Sequence, residues 1–168
     1  MTATLSRVFC ISLRLVVAFA ATDDQKNFSG AWKMDPARSE SAHQAVPVGP
    51  ITLVIKQTAA EITIETMTSA GRGAPASTEK LTYKLDGSEN TMASASGAPI
   101  KTRARWDGQK LVTQTLRSVN GTPVTIQHVL SLGADGKELT IDKTLTVQHG
   151  YQAPGGNNVG TGKDVFVR

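Results

Sequence analysis

From residue 51 onward, hydrophobic and polar positions alternate along the chain. Ile51, Leu53 and Ile55 stand at every second position, and the segment 61–65, Glu-Ile-Thr-Ile-Glu, repeats the pattern. Alternation with a period of two is typical of strands that bury one face and expose the other. Similar short segments continue to the C-terminus, so the sequence predicts many short strands and almost no helix.

Asp-Gly or Asn-Gly dipeptides separate the later alternating segments. They stand at 86–87, 107–108, 120–121 and 135–136. The favoured two-residue hairpin turns need positive φ at both central positions, which Asn, Asp and Gly adopt most readily. Four such turns in succession predict antiparallel strands that neighbour each other in chain order.

These strands predict an all-β fold, an antiparallel up-and-down meander of about 8–10 strands that closes into a barrel. A sheet of this size closes or splits into two layers, because an open edge invites aggregation. A β-sandwich is the alternative, although its crossings require longer connections than two-residue turns. A Gly- and Asn-rich stretch, 150–162, is predicted to be a loop before a final strand at 163–168.

The first strand is predicted around Gly30 and Trp32, and Asp35 with Pro36 ends it. Asp is a good helix cap and Pro suits the first helical position, so a short helix or a loop is expected next. Prolines at 47 and 50 prevent that helix from continuing.

Residues 1–21 are predicted to be a signal peptide, which leaves 22–168 as a single β-barrel domain. Arg7 precedes a mostly apolar run, 8–19, and Ala-Phe-Ala at 18–20 offers a cleavage pattern. Arg14 interrupts the run, so an uncleaved amphipathic segment is the alternative. The single cysteine, Cys10, lies in this segment, and an exported chain without disulfides suits a bacterial protein of the periplasm or the extracellular space.

Charge adds little to this interpretation. The chain carries a formal net charge of +4, which falls to about +2 once Arg7 and Arg14 are removed. A basic footprint for nucleic acid requires clustered charge, and the one local run, Lys101, Arg103 and Arg105, lies on one face of one strand. We therefore expect no nucleic-acid partner and no transmembrane segment in the mature chain; the oligomeric state stays open.

The segment 28–39, Phe-Ser-Gly-Ala-Trp-Lys-Met-Asp-Pro-Ala-Arg-Ser, resembles the opening of a group of uncharacterised exported bacterial proteins. More distantly, its Gly-x-Trp, Gly30 and Trp32, resembles the first strand of the lipocalin and calycin barrels. The resemblance implies that Trp32 plugs the closed end, that Arg168 or Lys163 packs over it, and that the fold binds small apolar molecules. The chain departs from those barrels because it has no Thr-Asp-Tyr motif.

Three basic residues share the apolar positions of three consecutive predicted strands. His128 stands at alternate positions with leucine, isoleucine and valine, and Lys143 does the same on the next strand. On the strand before them, Arg117 lies on the same face as Leu111. If these faces point inward, the three side chains meet inside the barrel. A desolvated cation needs a partner such as an anionic ligand head or a buried carboxylate.

These residues also have structural interpretations. Arg117 and Lys143 could extend to water at a barrel mouth, and His128 could be a hydrogen-bonded core residue. Tyr83, inward by its alternation with Leu81 and Leu85, is a further candidate ligand contact or core residue.

No catalytic or metal-binding constellation is visible, because the histidines at 43, 128 and 149 share no ligand spacing. The leading hypothesis is an exported β-barrel of the bacterial envelope that binds an apolar or amphipathic, lipid-like small molecule or is structural, without catalysis. One alternative is a haem-binding or enzymatic barrel that uses His128 or His149, haem being the one cofactor left open. The other is a protein-interaction domain.

Overall fold

The computed structural model describes residues 25–44, 49–70, 75–148 and 157–168 as ten antiparallel strands in one sheet. The strands are β1 (Gly30–Met34), β2 (Ile51–Gln57), β3 (Glu61–Thr68), β4 (Ser77–Lys84), β5 (Asn90–Ala93), β6 (Pro99–Asp107), β7 (Lys110–Val119), β8 (Thr122–Leu132), β9 (Glu138–Gln148) and β10 (Asn157–Val167). The predicted signal peptide and His149 lie outside the described residues.

The strand order confirms the predicted meander and rejects the sandwich. Along the sheet the order is β4-β3-β2-β1-β10-β9-β8-β7-β6-β5, so the first strand pairs with the last. Every connection joins sheet neighbours except the one from β4 to β5, which face each other across the remaining gap. The sheet is therefore a nearly closed barrel.

Side chains bridge the gap between β4 and the strands opposite it. The hydroxyl of Thr102 on β6 donates to the backbone carbonyl of Thr82 on β4 over 2.6 Å. The side-chain Nδ2 of Asn90 on β5 donates to the same carbonyl over 3.1 Å. These bonds satisfy a backbone acceptor that a sheet edge would otherwise leave open.

The turns form where the Asp-Gly and Asn-Gly dipeptides predict them. Asn120 has a φ of 51° and Gly121 a φ of 81°, which are the positive values that a tight hairpin needs. The glycines at 87, 108 and 136 also have positive φ.

The short helical segment expected after β1 is a pair of 3-10 helices, Pro36–Arg38 and Glu40–His43, with Asp35 capping the first. One prediction about local structure needs correction: the last strand begins at Asn157 instead of 163, because pairing with β9 extends through the Gly-rich segment. No helix in the described part of the chain is long and apolar enough to cross a membrane.

The hydrophobic core fills the barrel end that contains Trp32. Its largest fully buried side chains are Trp32, Tyr83, Phe28, Ile55, Ile62, Leu111, Leu130 and Leu139. Towards the other end the inner face becomes polar, with buried Thr102, Thr113, Thr115 and Asp164. The candidate site lies where these two halves meet.

Candidate functional site in the barrel interior

A cavity of about 100 Å³ lies in the interior above the packed core. It is lined by Ile51, Leu53, Ile64, Thr66, His128, Leu130, Ile141, Lys143, Asp164 and Phe166. Six of these ten residues are hydrophobic, and the polar ones include two charged groups and an imidazole. The cavity is therefore an apolar space with a polar wall.

His128 belongs to this wall because β8 directs its even-numbered side chains inward. It stands opposite Thr113 on β7 and Lys143 on β9. Within the described residues its ring makes no hydrogen bond. Burial, with a further contribution from the charge of Lys143, lowers the pKa of His128 from 6.5 to about 4, so the ring is neutral at pH 7 and has a free donor and a free acceptor.

Lys143 reaches inward from β9 to a buried carboxylate. Its ammonium group donates to Asp164 on β10 over 2.5 Å and also to the hydroxyl of Ser41. Asp164 is 2% exposed, and it accepts from both the backbone nitrogen (3.0 Å) and the hydroxyl (2.8 Å) of Ser41. The lysine is thus paired, and the same carboxylate fastens the second 3-10 helix to the barrel.

Arg117 is paired in the same manner. Its two terminal nitrogens donate to the two carboxylate oxygens of Glu79 over 2.6 and 3.1 Å. Glu79 lies on β4, across the gap from β7, so the pair also links the two flanks of the barrel opening. The Nε of Arg117 is buried without a hydrogen-bond partner among the described residues.

Tyr83 is part of the packed core. It is 2% exposed, and its hydroxyl lies 2.9 Å from that of Thr115. Desolvation by burial raises the pKa of its phenol. Tyr83 points inward as its alternation indicates, but it does not line the cavity.

The closed end contains the remaining residues of interest. The guanidinium of Arg168 lies over the Trp32 ring, 4.3 Å from its centre. Gly30 is close to it: a Cβ added there would lie 3.2 Å from an Arg168 nitrogen. Lys163, the other candidate partner of Trp32, is exposed on the outer face of β10.

Several solved structures are similar to this chain. A secretory abundant heat soluble protein from Ramazzottius varieornatus matches with a TM-score of 0.52 and 14% identity, over 83% of this chain and 93% of that one. A fatty acid-binding protein from Drosophila melanogaster brain has 19% identity and a TM-score of 0.47, covering 84% and 100%. Human cRBP IV has 16% identity and a TM-score of 0.48, covering 85% and 98%. No protein-family model matches the chain, and no curated protein matches its sequence.

The chain shares the barrel fold of the heat soluble protein, and at 14% identity the likeness concerns the fold alone. In this barrel both interior cations, Arg117 and Lys143, are paired with carboxylates of the chain.

The two acidic partners, Glu79 and Asp164, are not predicted from the sequence. Glu79 shares its alternation with Leu81 and Tyr83, so the same reasoning that selected Arg117 could have selected it. Asp164 shares alternation with Phe166 on β10, but the glycines at 160 and 162 obscure the pattern. No sequence feature indicates that Ser41 contacts the site, since it lies in a 3-10 helix whose position depends on tertiary contacts.

Proposed function

We propose that the barrel binds a small, mainly apolar molecule in its interior. The observation that carries the proposal is the apolar cavity beside His128, whose ring has no hydrogen-bond partner in the described structure. The side chain of His128 is half-buried, and a hydrogen bond from a ligand to its ring would contribute about 0.5–1.5 kcal/mol. A ligand with one hydroxyl or carbonyl group would satisfy the ring and fill the cavity at the same time.

The volume of the cavity limits the size of the ligand. Its volume of about 100 Å³ is below the roughly 150 Å³ that accommodates benzene in another protein and well below the roughly 300–1,000 Å³ of sites for drug-sized ligands. A molecule of about six heavy atoms, such as 1-pentanol, is near the upper limit for a cavity of this volume. A longer chain has to extend towards the open end.

The end opposite Trp32 offers such an extension. Leu145 has an inward position on β9 and is nevertheless 41% exposed. Gly160 is its partner on β10, and a Cβ added at this glycine would have no heavy atom within 4 Å. The missing side chain leaves open space between the solvent and the interior.

We further propose that this binding takes place outside the cytoplasm of a bacterium, as a non-catalytic function of the cell envelope. The support is the arrangement of residues 1–21 and the position of Cys10 within them. Secretion assays with a fusion to residues 1–30 test this part separately.

Native mass spectrometry of the purified chain, followed by NMR titration with 1-pentanol, tests the binding proposal. The proposal predicts an adduct or a saturable response, and about tenfold weaker binding for His128→Phe, because the loss of one hydrogen bond of about 1.4 kcal/mol is a factor of ten. Gln127→Leu, one residue away on the outer face, is the control and should bind as the wild type does. Absence of any adduct and any saturable response would reject the proposal.

A neutral imidazole such as His128 is a suitable axial ligand of haem, but a porphyrin is a drug-sized ligand and needs several times the volume of the cavity. A small apolar molecule suits the cavity better than haem. We therefore propose no haem-dependent function at His128.

A further inference from the structure

We propose that the interior selects uncharged ligands and excludes anionic amphiphiles such as fatty carboxylates, because carboxylates of the chain itself already occupy its cations. The inference rests on the proposed function and narrows its ligand class. It assigns a specificity role to Glu79 and Asp164, the acidic partners of the two interior cations.

Arg117 and Glu79 do not line the cavity themselves. Glu79 lies beside the cavity residue Thr66, its partner on β3, and its side chain is 44% exposed. In this position the Arg117–Glu79 pair occupies the geometry that a ligand carboxylate would need. An arginine binds a carboxylate best through two parallel hydrogen bonds. Both terminal nitrogens of Arg117 already make such bonds, to Oε1 and Oε2 of Glu79. An incoming anion would have to displace Glu79, which would leave that carboxylate beside the ligand's own negative charge.

Lys143 lines the cavity, but its carboxylate partner is held more firmly than that of Arg117. Its partner Asp164 is held by the backbone nitrogen and the hydroxyl of Ser41 in addition to the ammonium group. Displacing Asp164 would therefore detach the second 3-10 helix as well as the lysine. This carboxylate lines the cavity and presents negative charge to any bound anion.

The remaining interior groups add no positive charge. His128 is neutral at pH 7, so the charged groups that face the interior in the described chain cancel in pairs. Glu40 adds negative charge near the open end, with its Oε2 3.6 Å from the position of a Cβ on Gly162. An anion in this space would be desolvated without a counter-charge, whereas an alcohol or a ketone would not be.

The test compares 1-pentanol with pentanoate, two probes that differ chiefly in charge, by NMR titration at pH 7. We expect the wild type to bind 1-pentanol at least tenfold more tightly than pentanoate. Glu79→Gln keeps the size of the side chain and removes its charge, so it should strengthen pentanoate binding about tenfold and change 1-pentanol binding less than twofold. Glu61→Gln, which removes the same charge from an exposed position on β3, should change neither.

The outcomes separate this inference from the proposed function. Wild-type binding of pentanoate as tight as that of 1-pentanol would overturn charge selection and leave interior binding intact. A wild type that binds neither probe would reject the proposed function. If the wild type binds 1-pentanol and Glu79→Gln does not gain pentanoate binding, the specificity role of Glu79 is refuted.

Discussion

Arg168 and Trp32 close one end of the barrel together. The guanidinium of Arg168 lies 4.3 Å from the centre of the Trp32 ring, and its Nε donates to the carbonyl of Gly136 over 2.8 Å. The indole nitrogen of Trp32 donates to the carbonyl of Phe28 over 3.0 Å. The last residue of the chain is thereby tied to the first strand and to the β8–β9 turn.

Trp32→Ala should lower the free energy of unfolding by about 3–5 kcal/mol, the usual range for removing a fully buried aromatic ring. Urea denaturation measures this loss. Because Trp32 does not line the cavity, the folded variant should still bind 1-pentanol with an affinity close to that of the wild type. A loss below about 1 kcal/mol, far under that range, would contradict the role of Trp32 as the plug of the closed end.

Gly30→Ala should destabilise the chain by about 1–2 kcal/mol, since Gly30 has a φ of 145° that alanine rarely adopts and its Cβ would crowd Arg168. Gly160→Ala is the matched control, because Gly160 has no heavy atom within 4 Å of a Cβ and an ordinary φ. That variant should be neutral or slightly more stable. Equal effects in thermal unfolding would refute the strain assigned to Gly30.

Asp164→Asn should cost about 2 kcal/mol or more, because it leaves the ammonium group of Lys143 without its buried partner. Amide hydrogen exchange should also rise in the second 3-10 helix, whose Ser41 nitrogen bonds to this carboxylate. Asp142→Asn removes an equal charge from the outer face of β9 and serves as the control. Unchanged exchange in Glu40–His43 would show that Asp164 does not anchor this segment.

His128 should make the chain less stable as the pH falls from about 6.5 to about 4. Its folded-state pKa of about 4 lies below the unfolded value of 6.5, so in this window the unfolded chain binds a proton that the folded chain does not. The contribution to stability is present above pH 6.5 and its full loss, near pH 4, is on the order of 3 kcal/mol.

His128→Gln should remove this part of the pH dependence, as measured by urea denaturation between about pH 4 and pH 8, a range that spans both pKa values. Gln127→Leu on the outer face should keep the wild-type profile. Parallel profiles for wild type and His128→Gln would show that the imidazole is not held neutral by its surroundings.

The local rules predicted the fold well because they act over short distances. Asn120 and Gly121 define a turn by their own backbone preferences, and the alternation from Ile51 onward fixes which face of each strand is buried. Alternation also directed His128 and Lys143 inward, and both line the cavity, whereas Arg117 has an inward position but does not line it.

What the sequence could not provide depends on long-range contacts. The pairing of Arg117 with Glu79 spans two strands that are far apart in the sheet order. The second 3-10 helix is held by Asp164, 123 residues from Ser41, and no local preference encodes that contact. The early start of β10 follows from the length of β9, since a paired strand orders even a Gly-rich partner.

The most direct test of interior binding is a titration of the wild type with 1-pentanol, in which amide and side-chain NMR shifts are followed residue by residue. Interior binding predicts saturable shifts at Leu53, His128 and Ile141, with little change at Gln127 and Asp142 on the outer face. Shifts confined to the outer face, or no saturable shift at all, would contradict it.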